Sequence, residues 1–229
     1  MTTTDTRVTI DSVSPGDQEV VKQLRNQLEA HNCPEHKLYT DLYLANVLKD
    51  RSFEYTLEKL VNAITWRRGY GQLSLEQLSS RVAVEALEWR GPDPQGRPIL
   101  FVRPHLQHWS NLDTDAEIRF HMYRVEEGIA KMPPHVTQFV VVVDASEFNT
   151  KMLNLSFVKG LTEMMTSGYP DRLADLYIAP TNMAIRAIFY MVSPLLPKTI
   201  RSKIHLEKNL HDGDLLTAHP HQARQPRRE

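Results

Sequence analysis

Residues 138–144 read Gln-Phe-Val-Val-Val-Val-Asp, an unbroken run of aromatic and β-branched side chains. No polar residue alternates with the apolar ones, which is typical of a strand buried on both faces of a sheet. Helical signals lie on either side of this run. Thr114-Asp-Ala-Glu117 predicts a capped helix that runs to about Lys131, and a second helix is predicted from about Met152 to Ser167. The run therefore predicts the central strand of an α/β domain.

Three further apolar stretches predict strands on either side of this one: Pro98-Ile-Leu-Phe-Val-Arg103, Asp175-Leu-Tyr-Ile-Ala179 and Ile204-His-Leu206. A dense turn signal, Gly91-Pro-Asp-Pro-Gln-Gly96, precedes the first of them. Strands that alternate with helices indicate βαβ units and a largely parallel sheet.

The first 80 residues or so are predicted to be helical. Apolar residues at helical spacing mark three helices, at Val20–Leu28, Leu44–Leu48 and Leu57–Ile64, and the third runs to Trp66-Arg67-Arg68. Ser74-Leu-Glu-Gln77 has the pattern of a capping box that begins a fourth. Residues 1–16, rich in Thr, Ser and Asp, are predicted to be unstructured. The predicted fold class is α/β, with a helical N-terminal head followed by a mostly parallel sheet flanked by helices.

Composition and charge exclude several classes of protein. With 41% apolar residues, 24% charged residues and a net charge of −1, the chain has no global positive field of the kind that favours nucleic acid. The single cysteine, Cys33, suits a reducing compartment, and we interpret it as a plain thiol. The most apolar segment, Met183 to Leu196, contains Arg186 and Pro194 and is too short to span a membrane. We therefore expect a soluble, cytoplasmic protein that is a monomer.

The common signatures of catalysis are missing from the sequence. There is no Gly-x-Ser-x-Gly elbow, no phosphate-binding Walker loop and no dinucleotide-binding glycine pattern. The polar segment with His211, Asp212, Asp214, His219 and His221 lacks the paired spacing of a zinc site, and we expect a solvated tail there. Asp144 ends a buried strand, where α/β enzymes often place a carboxylate, but without a partner it is more typical of a loop cap. We expect no enzyme, no metal and no cofactor.

The segment from Asn182 to Leu196, here called the gate helix, has more apolar surface than a surface helix needs. Its apolar residues cover most of its circumference: Met183, Ile185, Ala187, Ile188, Phe189, Met191 and Val192. A helix that is apolar all round is buried or faces something oily, so the pattern alone fits a central core helix equally well. Two methionines and a phenylalanine favour an adaptable, lipid-facing wall. The basic run Lys198-Thr-Ile-Arg-Ser-Lys203 follows it.

An ordered series of short motifs resembles the CRAL-TRIO lipid-binding family, and within it the phosphatidylinositol transfer proteins. In the helical part the resemblance lies in the run from Leu44 through Lys49-Asp50-Arg51 to Phe53-Glu54, followed by Trp66-Arg67. In the sheet part it lies in Gly96-Arg97-Pro98, Met132-Pro-Pro, Tyr169-Pro-Asp-Arg-Leu173, Leu176-Tyr-Ile178, Pro194-Leu-Leu and Ser202-Lys-Ile204. The resemblance covers roughly residues 38 to 206.

The resemblance implies a sheet that floors an oily pocket, closed by a movable helix at the position of the gate helix. It implies an acyl-chain pocket formed by Met183, Ile185, Ile188, Phe189, Met191 and Val192. For the head group of phosphatidylinositol it implies Arg51, Asp171 and Lys203, with Thr199 one place before the position, Ile200, where the family has a threonine. Family members that bind choline lipids have hydroxyl residues on the strand before Asp144. This chain has Phe139 and Val141 there, so choline lipids are not expected.

The resemblance also implies a domain organisation and a function. We expect a helical N-terminal region at 17–85, a lipid-binding lobe at 86–206 and a divergent, flexible tail at 207–229, which lacks the family's Leu-Pro-x-x-Tyr-Gly-Gly pattern. The expected function is to hold one lipid, phosphatidylinositol, and to exchange it during transient contact with a membrane surface. Three alternatives stay open: a sensor or scaffold that presents lipid to a partner enzyme, a carrier of a tocopherol or retinoid, and an enzyme, for which the sequence offers no constellation of catalytic residues.

Overall fold

Four helices form the amino-terminal part of the molecule. The computed structural model describes residues 15–33, 35, 39–71, 74–107, 109–110 and 112–209. The helices are α1 (Pro15–Ala30), α2 (Asp41–Leu48), α3 (Phe53–Tyr70) and α4 (Leu75–Val82). The capping box predicted at Ser74 is present. Helix α1 begins at Pro15, so the last two residues of the range predicted to be unstructured are helical, and residues 1–14 lie outside the described part.

The first three helices share one apolar core. The predicted stripes meet there, with Leu24, Leu28, Leu44, Val47 and Leu60 each fully buried. Two caps start the second and third helices: the Thr40 side chain accepts a hydrogen bond from the Tyr43 amide, and the Ser52 side chain accepts one from the Tyr55 amide. These caps satisfy backbone groups that the first helical turn leaves without a partner.

A five-stranded sheet forms the rest of the fold. The strands are β1 (Leu87–Pro92), β2 (Pro98–Val102), β3 (Phe139–Asp144), β4 (Leu173–Ala179) and β5 (Ile204–Leu206), in the spatial order in which they occur along the chain. β1 pairs with β2 in the antiparallel sense, and the remaining neighbours are parallel. The predicted α/β class with a mostly parallel sheet is confirmed.

The strand β1 was missed in the sequence. Its residues, Leu-Glu-Trp-Arg-Gly-Pro, contain two charges and end in two turn formers, so they lack the apolar pattern of a central strand. Such a composition is typical of an edge strand, and β1 lies at the edge of the sheet. A tight turn joins it to β2, where the Asp93 carboxylate accepts hydrogen bonds from the amides of Gln95 and Arg97.

Helices connect the parallel strands. Helix α5 (Thr114–Ala130) links β2 to β3, and α6 (Leu155–Glu163) links β3 to β4. Helices α7 (Met183–Val192) and α8 (Lys198–Arg201) link β4 to β5, with a 3₁₀ turn between them. The cap of α5 is Asp113 rather than the predicted Thr114, since the Asp113 carboxylate accepts from the Ala116 amide at 3.0 Å.

Strand β3 is buried on both faces, as its sequence predicts. Phe139 belongs to the main core with α5 and α6, where Ile118, Phe120 and Phe157 pack. Val140, on the opposite face, packs with other residues of the sheet, namely Ile99, Phe101, Val142 and Ala174. Both Phe139 and Val140 are fully buried.

The remaining sequence-based candidates for chemistry have structural roles or lie outside the described part. The Asp144 carboxylate accepts a hydrogen bond from the Ser146 amide at 3.0 Å and so caps the turn after β3. Cys33 is buried, and its thiol donates to the His31 carbonyl. The segment with His211, His219 and His221 lies beyond the described residues. Within the described ranges, no group of three or more His, Cys, Asp or Glu side chains could hold a metal, and no helix is long and apolar enough to cross a membrane.

Candidate functional site

An apolar cavity of about 280 Å³ lies between the sheet and helices α6 and α7. Strands β3 and β4 line it with Val143, Leu176 and Ile178, and among the described residues that line it only Thr162 of α6 is polar. Four residues of α7 line its other side: Ile185, Ile188, Phe189 and Val192. A cavity with this lining excludes water from whatever apolar group occupies it.

Two residues of the predicted acyl-chain pocket do not line this cavity. The side chains of Met183 and Met191 are 83% and 58% exposed, on the side of α7 away from the cavity. Because successive helical residues turn by about 100°, positions 185, 188, 189 and 192 share one face and positions 183 and 191 lie off it. The prediction is wrong for the two methionines, which belong to an exposed apolar face that also includes Tyr190 and Leu195.

A charged cleft of about 650 Å³ lies next to the apolar cavity. One wall is a single face of α3, since Tyr55, Glu58, Lys59 and Asn62 follow helical spacing. All four residues predicted to contact a head group line this cleft: Arg51, Asp171, Thr199 and Lys203. Residues from the helical head and from the sheet part of the chain therefore meet in one place.

Arg51 and Asp171 form a two-point ion pair in the cleft. The two terminal nitrogens of Arg51 donate to the two carboxylate oxygens of Asp171 at 2.7 Å and 3.1 Å, and Lys59 Nζ lies 3.2 Å from Asp171 Oδ2. Burial alone would raise the pKa of Asp171, but the hydrogen bond from Arg51 and the charge of Lys59 outweigh it and hold that pKa below its ordinary value. Lys59 was missed in the sequence, because its place on the cleft-facing side of α3 is known only once that helix packs beside Asp171.

Lys203 provides a third cation. Its ammonium donates to the carbonyl of Leu173. Burial lowers the pKa of Lys203, and the charges of Arg51 and Lys59 lower it further against the opposing effect of Asp171 and Asp175. Three cations in one partly buried cleft disfavour one another, which makes the cleft receptive to an added anion.

The backbone around Asp171 is held in place by the head and by the start of β3. Asp171 has a φ of 59°, in the left-handed region that Asp tolerates better than most residues. The Tyr43 hydroxyl donates to the carbonyl of Pro170 at 2.8 Å, and Arg67 donates to the carbonyl of Gly168 at 2.6 Å. The Gln138 side chain donates to the carbonyl of Asp171 itself at 3.1 Å. Residues 168–171, which join α6 to β4, are therefore tied to α2, α3 and β3.

The charged cleft and the apolar cavity share a wall. Met165, Leu173 and Ile200 line both spaces. Met165 belongs to a π-helical turn, Met164–Gly168, that extends α6, and such turns often occur at functional sites. Ile200, at the position where the resemblance expects a threonine, is buried in this shared wall, whereas Thr199 is exposed and lines the cleft.

The geometry is that of a compartment for an apolar chain beside a compartment for a polar, anionic group. A family model described as the CRAL/TRIO domain matches residues 85–224, more than half of the chain. This chain belongs to the CRAL/TRIO domain family. Proteins of the family bind and transfer lipids, which agrees with the paired compartments.

Three known proteins are similar to the chain. The CRAL-TRIO domain-containing protein YKL091C of Saccharomyces cerevisiae is 23% identical over 89% of this chain and 74% of its own length. A phosphatidylinositol transfer protein of Eremothecium gossypii, CSR1, is 26% identical over 54% of this chain, and the match covers 28% of that protein. The crystal structure of Sfh5 superimposes with a TM-score of 0.62 and 13% identity, over 88% of this chain and 82% of that one, which establishes a shared fold.

Proposed function

We propose that this CRAL/TRIO protein holds one molecule of phosphatidylinositol and exchanges it at membranes. The acyl chains lie in the apolar cavity against α7, and the head group lies in the charged cleft. The observation that carries this proposal is the shared wall of Met165, Leu173 and Ile200, because it brings the two compartments within the reach of one amphipathic molecule.

The cleft has the chemistry that an inositol phospholipid requires. Asp171 already accepts from both terminal nitrogens of Arg51, so Arg51 offers a phosphate its Nε–H and the remaining Nη2 hydrogen. Lys203 offers a mobile point charge. Hydroxyls and an amide on the cleft wall, from Ser167, Thr199 and Asn62, suit a head group rich in hydroxyls. The name of the Eremothecium gossypii relative, a phosphatidylinositol transfer protein, supports the same lipid.

The outward face of α7 supports a role at the membrane surface. Met183, Tyr190 and Met191 of α7 and Leu195 of the following 3₁₀ turn are each more than half exposed, and Lys198 and Arg201 just beyond them are exposed cations. Such a surface inserts its apolar side chains at the boundary between head groups and acyl chains while cations meet anionic lipid. We propose that α7 is the gate: at a bilayer it swings outward, its cavity-facing residues meet lipid instead of water, and a lipid enters.

The energetics favour reversible exchange rather than irreversible capture. Burying an acyl chain is worth about 0.8 kcal/mol per CH₂ relative to water, and leaving the bilayer loses nearly the same amount. The difference between the bound lipid and the lipid in a bilayer is therefore small, as a carrier requires. The head contributes one wall of the cleft through α3, so we propose that residues 17–85 and the lobe at 86–206 act together.

Mass spectrometry of lipid extracted from the purified protein tests the proposal, together with transfer of labelled phosphatidylinositol between vesicles. We expect one bound phosphatidylinositol and net transfer. A protein that carries no lipid and transfers none would contradict the proposal, and a bound tocopherol or retinoid would contradict the identity of the lipid. If the protein binds phosphatidylinositol but does not transfer it between vesicles, the result would indicate a lipid sensor and not a lipid carrier.

A further inference from the structure

Glu58 differs from every other charged residue that lines the cleft. It lies on the α3 face that forms the cleft wall, between Tyr55 and Asn62, and it is exposed. It makes no hydrogen bond or ion pair with any residue in the described ranges. Its carboxylate oxygens are thus available to accept hydrogen bonds from a molecule that enters the cleft.

Asp171, by contrast, has little capacity left to accept. A carboxylate has about four lone-pair sites. Arg51 donates to both oxygens of Asp171, and Lys59 donates to Oδ2. Three of the four sites are therefore occupied before any head group is present, and the main task of Asp171 is to hold the two cations.

The charges of the cleft also limit what can enter it. Among the described residues that line it, three are cations (Arg51, Lys59 and Lys203) and two are carboxylates (Glu58 and Asp171), which gives one net positive charge. A phosphodiester balances that charge. A further phosphate on the ring would add about −1.5 to −2 and would lie in the same cleft as the unpaired carboxylate of Glu58.

From this geometry we infer that Glu58 is a specificity-determining residue, which accepts hydrogen bonds from ring hydroxyls of phosphatidylinositol and disfavours its phosphorylated derivatives. This inference rests on the proposed function and adds to it the residue that reads the head group. A hydrogen bond from a hydroxyl to a carboxylate is stronger than one to a neutral amide, so the charge of Glu58 contributes to affinity for the unphosphorylated ring.

The test compares Glu58→Gln with Glu54→Gln. Glu54 is an exposed glutamate one turn earlier on α3 and outside the cleft, so its substitution changes the net charge equally. Each protein is loaded from vesicles that contain phosphatidylinositol, phosphatidylinositol 4-phosphate and phosphatidylserine in equal amounts, and the bound lipids are counted by mass spectrometry. Thermal unfolding verifies that both variants are folded.

We expect Glu58→Gln to load about threefold to tenfold less phosphatidylinositol than the parent protein, since a charged acceptor becomes a neutral one. We expect its loading of the 4-phosphate to rise about threefold as the repulsion is removed, with phosphatidylserine unchanged. The inference would be overturned if Glu58→Gln and Glu54→Gln loaded the same amounts of each lipid, or if phosphatidylserine loading rose as much as loading of the 4-phosphate. In either case, phosphatidylinositol bound to the parent protein would leave the proposed function intact. A parent protein that binds no phosphatidylinositol contradicts the proposed function, and the inference with it.

Discussion

Arg51 and Asp171, 120 residues apart in the sequence, are paired directly in the charged cleft, where each terminal nitrogen of Arg51 donates to one carboxylate oxygen of Asp171. Arg51 precedes the first turn of α3, and Asp171 precedes β4. The pair therefore fastens the helical head to the sheet at the point where the head group is proposed to bind. A phosphate approaching Arg51 meets a guanidinium whose orientation Asp171 already determines.

We expect Lys203→Ala to lower the affinity for phosphatidylinositol about tenfold to a hundredfold, since a charge-assisted hydrogen bond to phosphate contributes about 1.5–3 kcal/mol. Arg51→Ala should lose a similar amount. Lys22→Ala is the matched control, because Lys22 is exposed on α1, outside the cleft and apart from the proposed membrane surface. Vesicle-to-vesicle transfer of labelled phosphatidylinositol measures the effect, and a control variant that loses as much as Lys203→Ala would contradict the assignment.

The Asp171 ion pair should make stability depend on pH. The pKa of Asp171 is lower in the folded protein than its ordinary value, so the stabilisation is complete above the pKa of the unfolded chain, about 4, and is lost as pH falls through the folded value. Asn tolerates a positive φ, so Asp171→Asn keeps the backbone and removes the charge.

We expect this variant to be less stable than the parent protein by about 1–3 kcal/mol at pH 7, and we expect the difference to shrink below about pH 4. Urea unfolding of both proteins at pH 7 and pH 3 measures the difference. A gap that is the same at both pH values would contradict a role for the charge.

The exposed apolar face of α7 should control membrane contact rather than stability. We expect Tyr190→Asn together with Met191→Asn to reduce association with anionic vesicles by about thirtyfold or more, because each apolar side chain buried in the interface contributes about 1–2 kcal/mol. Val82→Asn, an exposed apolar residue on α4, is the control and should change little. Sedimentation with vesicles measures association, and an equal loss in the control would argue against a gate at α7.

Much of the fold follows from residues whose roles are local. The valine run of β3, the helical stripes and the capping box at Ser74 each determine an element without help from distant residues. The edge strand β1 could not be predicted in the same way, because pairing with β2 rather than its own apolar pattern makes it a strand. The π-helical turn at Met164–Gly168 likewise depends on packing, since Trp66 occupies the space in which a side chain at Gly168 would lie.

The site was predictable in part, and for a physical reason. Motif order indicated Arg51, Asp171 and Lys203, and the structure brings them together, but their function as head-group ligands stays a prediction. Lys59 and Glu58 were not indicated, since a charged residue on a helix is ordinary in a sequence until the fold places it in the cleft. The orientation of α7 determines which of its apolar residues face inward, and a sequence that is apolar all round does not reveal that orientation.

Two glycines offer a matched test of the packing around the sheet. A methyl group on Gly128 of α5 would lie 2.0 Å from the Trp89 ring, whereas one on Gly69 of α3 would meet no atom within 4 Å. We expect Gly128→Ala to cost about 1–3 kcal/mol of the free energy of unfolding, and Gly69→Ala to raise it by about 0.5–1 kcal/mol. Urea unfolding measures both, and a neutral Gly128→Ala would contradict the close contact between α5 and β1.

The central claim is that one phosphatidylinositol extends from the charged cleft into the apolar cavity. The most direct measurement is photo-crosslinking with phosphatidylinositol that bears a photoreactive group on one acyl chain, after the complex has been separated from vesicles. The account predicts labelled peptides that carry the cavity-facing residues Ile188 and Phe189 of α7 and Leu176 of β4. The account would be contradicted by labelling confined to the outward residues Met183 and Tyr190. It would also be contradicted by labelling no greater than that of protein irradiated without bound lipid.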